Sequence, residues 1–146
     1  MLDALRSLFR ADTGPRAEVP AEVAVAALLV DAARADGVYH PAERRAVGTL
    51  LQAMFGLDAA GADALRVRGE ASQAEAADIV RFTRVIKAAM DEPQRIRLME
   101  ALWEVVLADH ERAPDEDALL RKLAPLIAVD DRDSAAARQR VLARVG

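Results

Sequence analysis

Two stretches decide how this chain reads: ADGVYHPAE at Ala35–Glu43 and ADHERAPDE at Ala108–Glu116. Each follows an apolar run and precedes another. Asp36 matches Asp109, Pro41 matches Pro114 and Glu43 matches Glu116, 73 residues apart each time. Asp31 and Glu104, one helical turn ahead of the corner, keep the same offset. Matches held in register with similar flanks mark an internal repeat, a helix–corner–helix unit used twice.

Working outward, Ala21–Ala35 is apolar nearly all round through Val30, the pattern of a central buried helix. Gly37 sits where a left-handed C-terminal residue is wanted. Pro41 suits a first helical turn, and Glu43 suits its N-terminal dipole. Val47, Leu50, Leu51 and Met54 make the apolar stripe of the next helix. Asp58 reads as the N-cap of a weaker, glycine-interrupted helix from Ala59 to about Arg68. Ser72-Gln73-Ala74-Glu75 has capping-box form and predicts a new helix start, carrying Ile79, Phe82, Ile86 and Met90. Asp91 and Pro93 end that helix and begin the next, whose inward face is Ile96, Met99, Trp103, Val106 and Leu107. After the second corner, Leu119, Leu120, Leu123, Leu126 and Ile127 mark a helix from about Pro114. Asp130 caps a last one to about Arg144. No alternating run or hairpin dipeptide signals a strand. The expected fold is all-α, a compact bundle of seven to eight helices with two pseudo-symmetric halves.

Composition agrees. The chain has 146 residues, enough for one domain with its own core. Aromatic residues are only 3 %, while Ala and Arg favour helix. The absence of cysteine removes disulfides and thiol chemistry. A formal charge of −4 argues against general nucleic-acid binding, and no nucleic-acid partner is expected. The N-terminal MLDALRSLFR is interrupted by Asp3, Arg6 and Arg10 and is no signal peptide. The apolar run Val23–Val30 is too short to span a bilayer. A cytoplasmic protein is expected. Residues 1–20 read as a short helix and linker, and residues 21–146 as the domain. Leu2, Leu5, Leu8 and Phe9 share one side of the short helix, which either packs at home or docks a partner or a membrane surface.

The acidic corners admit two readings. In the first, each Asp turns the loop, each Glu caps the following helix, and duplication explains the rest. In the second, Asp36 with Glu43, and Asp109 with Glu116, converge across a sharp turn as oxygen ligands for a hard, calcium-like divalent cation. The spacing is not that of an EF-hand, and His40 and His110 are neither repeat-equivalent nor in an H-E-x-x-H pattern. No enzyme is expected: Ser7, Ser72 and Ser134 lack a nucleophile-elbow context, and no glycine loop cradles phosphate. Trp103 and Phe82 read as core. Arg138, Arg140 and Arg144 read as a solvated face. Arg44 and Arg45 either attract an oxyanion or screen the acids of the corner.

The ordered blocks Ala33-Arg34-Ala35-Asp36-Gly37 with Glu43, and Leu107-Ala108-Asp109 with Glu116, resemble the tellurite-resistance TerB-like family. Ile79–Ile86, Leu98–Val105 and Asp117–Ala124 resemble it too, so the likeness runs from about Ala21 to Arg144. The resemblance implies a compact helical domain of two related halves, the repeated acids as a metal-binding surface, and an association with tellurite resistance or general stress. His110, in place of a second Gly37, departs from the pattern. It predicts that the first corner keeps the more regular geometry.

Overall fold

The computed structural model describes residues 19–35, 37–75, 79–108 and 114–145, and the side chains of these except 114–117 and 145. Helix α1 is Ala21–Ala33, and ten of its thirteen residues are buried, as its continuous apolar sequence requires. Six helices follow, α2 (Pro41–Phe55), α3 (Ala59–Glu75), α4 (Val80–Ala89), α5 (Glu92–Ala108), α6 (Pro114–Leu126) and α7 (Asp131–Val145); all but α7 pack on α1, and α7 packs on α5 and α6. No strand occurs among the described residues. None of the described helices is long and apolar enough to cross a membrane.

The expected repeat organises the packing. In the first half α1 packs most extensively on α3, and in the second α5 packs most extensively on α7. α1 and α5 also meet each other, and each touches the middle helix of the opposite half. α4 lies between the halves in sequence and packs on α1 and α6. Here the sequence reading falls short: α5 is a second central helix, not an amphipathic one. Leu98, Met99, Ala101, Leu102, Trp103, Val105, Val106 and Leu107 are all buried. Glu100 and Glu104 mask this in the sequence, yet both lie only partly exposed against α7, where Arg140 and Arg144 pair with them.

A second repeated corner emerges, offset by 72 residues. Helix α2 ends at Gly56 with φ +62°, and α6 is followed by Ala128 with φ +59°. The next N–H in each case reaches back five residues, Leu57 to the Gln52 carbonyl (3.1 Å) and Val129 to the Ala124 carbonyl (2.8 Å). This is the Schellman closure of a helix end. Asp58 and Asp130 then cap the following helices, accepting from the Gly61 N–H (2.7 Å) and the Asp133 N–H (2.8 Å). Both caps agree with the sequence reading.

The helix start expected at Ser72 does not exist. Ser72–Glu75 is the last turn of α3, which runs unbroken through Gly69. The cause is packing: Gly69 lies directly against α1, where a Cβ would come within 2.5 Å of the Ala26 Cβ and 2.8 Å of its carbonyl carbon. The contact holds the α3 backbone helical past the residue that weakens it in isolation. The reciprocal box falls instead at Asp91-Glu92-Pro93-Gln94, where Asp91 accepts from the Gln94 N–H (3.0 Å) and Gln94 accepts from the Asp91 N–H (2.9 Å).

Candidate functional site

The first acidic corner joins α1 to α2. Past Ala33 the chain tightens, with the Arg34 N–H on the Val30 carbonyl and the Gly37 N–H on the Arg34 carbonyl, both at 2.9 Å. Gly37 has φ +85°, the left-handed conformation its position demands. Pro41 then opens α2, and Glu43 occupies the third helical position. The Glu43 side chain is fully buried, and its Oε1 accepts the His40 N–H at 3.1 Å in a capping box with His40.

Tyr39 ties this corner to α3. Its hydroxyl donates to Glu70 Oε2 at 2.7 Å, and the same carboxylate oxygen takes the Arg66 guanidinium. Arg66 also pairs with Asp63. The Arg34 and Arg44 guanidinium carbons lie 4.9 and 5.0 Å from the centre of the Tyr39 ring, within cation–π range. Burial, reinforced by the hydrogen bond to Glu70 and its charge, pushes the Tyr39 hydroxyl up to about 12. Hydrogen bonding to Asp63, and then to Glu70, holds the Arg66 guanidinium above its ordinary range against the opposing effect of burial. One turn away, Gln73 donates to Asp31 Oδ1 (3.1 Å) and accepts from Arg34 Nη1 (2.6 Å), so one amide on α3 joins Asp31 of α1 to Arg34 just past its end.

Of the acids the sequence singles out, Glu43 is at the corner and capping. Asp36 and Asp109 lie outside the described residues, as does the segment Leu2–Phe9. Glu116 stands at the third position of α6, as Glu43 does in α2, with its side chain outside the description. Among the described residues no group of three or more His, Asp or Glu is placed to hold a metal. The two acids one turn earlier face different partners: Asp31 takes Gln73, whereas Glu104 takes Arg144. Sequence reasoning missed Tyr39, Arg66, Glu70 and Gln73. The signal for Tyr39 was present, a lone tyrosine inside the repeated stretch. The α3 residues gave none, because the false helix start split their helix.

In the second half of the chain, Trp103 is core as expected, with Nε1–H donating to Ser134 Oγ at 3.3 Å. Arg138 leaves the expected solvated face, its guanidinium lying 5.6 Å from the centre of the Trp103 ring. Arg140 and Arg144 hold to that reading as surface partners of Glu100 and Glu104. Their two hydrogen bonds, the one to Glu100 first, raise the affinity of the Arg144 guanidinium for its proton.

An all-helical domain built from two helix–corner–helix halves, with a buried capping acid at the first corner, is the class these features define. The family model for tellurite resistance protein TerB matches residues 22–139, and the chain belongs to that family. No curated protein and no solved structure matches it.

Proposed function

We propose that this chain is a non-catalytic TerB-family module, acting in the cytoplasm in tellurite resistance or a related stress response, that binds a divalent cation at its acidic corners. Asp36 with Glu43 forms the first site and Asp109 with Glu116 the second. The observation that supports this reading is the fully buried Glu43 carboxylate at the turn between α1 and α2. A hard cation there gains oxygen ligands from the carboxylates, with loop carbonyls and water completing its shell. It would tie the end of one helix to the start of the next and so couple ion binding to the packing of the halves.

Calorimetric titration of metal-free protein with calcium, manganese and zinc tests the proposal. Binding to the native state alone raises stability by about 2.7 kcal/mol at a hundredfold excess over Kd. The expected result is a saturable heat with a rise in Tm, both reduced in Glu43→Gln and Glu116→Gln. No heat and an unchanged Tm at millimolar ion would sink it.

A second reading is an interaction domain without metal, and it draws on the hydrogen bond from the His40 N–H to Glu43. There the acids only cap helices, and the segment Leu2–Phe9 or a groove between helices docks a protein. Deleting residues 1–10 would then abolish recovery of the partner if the segment is what docks.

A further inference from the structure

We propose that the groove between α2 and α3 binds a small phosphate-bearing anion. Arg44, Arg45, Gly48, Thr49 and Gln52 recur at the one-and-four spacing of a single face of α2, and Arg66 faces them from α3. The groove has a volume of about 290 Å³. Three guanidinium groups line it against one carboxylate, Asp63, which is already paired with Arg66. Arg66 is mostly buried and held by Asp63 and Glu70, so it is a fixed donor rather than a searching one. Arg45 is exposed and makes no hydrogen bond or ion pair with any described residue. Planar guanidinium groups, together with a hydroxyl and an amide, are the donor set that recognises phosphate oxygens.

Gly48 is the independent observation. A glycine inside a helix weakens it relative to alanine. At Gly69 the close approach of Ala26 explains the glycine, but a Cβ at Gly48 would meet nothing within 4 Å. Nor does the repeated architecture require it, because the position 73 residues on is Arg121, exposed on α6. The missing side chain leaves the floor of the groove open beside three cations. Space reserved for a ligand accounts for a glycine that packing does not. The second half lacks the set: Asp117 and Ala118 stand where Arg44 and Arg45 would be.

The test is an amide NMR titration of the full chain with inorganic phosphate at constant pH and ionic strength. Saturable shifts centred on Gly48, Thr49 and Ala62 are expected. Arg45→Ala should weaken the apparent Kd about fivefold. Gly48→Ala should melt at a higher temperature, from its better helix propensity, yet bind phosphate several-fold more weakly. That opposite movement is not expected of a purely structural glycine. Flotation with phosphatidic acid vesicles, against phosphatidylcholine alone, identifies the source: vesicle binding displaced by free phosphate assigns a lipid headgroup, and titration without vesicle binding assigns a soluble anion. Shifts that rise linearly with phosphate and are the same in both variants would overturn the proposal.

Discussion

Gly69 of α3 rests on Ala26 of α1 so closely that a single added carbon would fall within 2.5 Å of the Ala26 Cβ and 3.0 Å of the Ala27 nitrogen. The obstacles include backbone, which no rotamer change can clear. Gly69→Ala improves helix propensity by about 1 kcal/mol, but the overpacking must push two central helices apart. We expect a net loss of about 2 kcal/mol, read as a lower urea midpoint. An unchanged or higher midpoint would mean that α1 and α3 are not in this contact.

The paired left-handed caps make opposite predictions for equivalent positions. A Cβ at Gly56 meets nothing within 4 Å, so Gly56→Ala carries only the conformational penalty of a non-glycine residue, about 1 kcal/mol. Ala128 already bears that strain at φ +59°. Ala128→Gly relieves it at the expense of a more flexible unfolded chain, and should stabilise the protein by up to about 1 kcal/mol. Thermal melts of the two variants should move in opposite directions.

Glu43 gives a stability readout separate from ion binding. Truncation to alanine removes the acceptor of the His40 N–H inside a buried site. Loss of a cap and of a buried hydrogen bond together should lower stability by about 2 kcal/mol in metal-free buffer. If Glu43→Ala unfolds at the wild-type urea concentration, the cap is not contributing.

Tyr39 is the chain's one tyrosine, so absorbance at the tyrosinate band reports it alone. Its hydroxyl is raised from 10.0 to about 12, which means that the protonated, neutral form is favoured by the fold. The stability this confers is complete below pH 10 and disappears as pH climbs through about 12. Native protein should therefore develop tyrosinate absorbance about two pH units later than urea-unfolded protein. Glu70→Gln should bring the native midpoint down, because it removes the acceptor's charge.

The helical class, the first corner and both aspartate caps were legible in the sequence because each depends on local chemistry. Pro41, Gly37 and Asp58 act on neighbours within a few residues, and an apolar face such as Val47 with Leu51 shows in the spacing. What was hidden depends on residues far apart. Ser72–Glu75 has the letters of a helix start, and the contact of Gly69 with Ala26, together with the bonds of Gln73 to Asp31 and Arg34, keeps that segment inside α3. Glu104 made α5 look amphipathic until Arg144 supplied its partner. The site was half legible: Glu43 stood out by repetition, whereas the link from Tyr39 to Glu70 joins residues 31 apart with no pattern between them.

The two corners repeat at different offsets, 73 residues for Pro41 and Pro114 but 72 for Gly56 and Ala128, so the α6 arm is one residue shorter than the α2 arm. A residue dropped from a helix turns everything beyond it by about 100° and draws it back about 1.5 Å. Even so, α7 buries the same face as α3: Ala62, Leu65 and Gly69 correspond at the 72-residue offset to Ser134, Ala137 and Val141, and all six are buried. The duplicated frame thus fixes which face each copy buries but not how closely its helices approach, since a glycine holds that shared position in one half and a valine in the other.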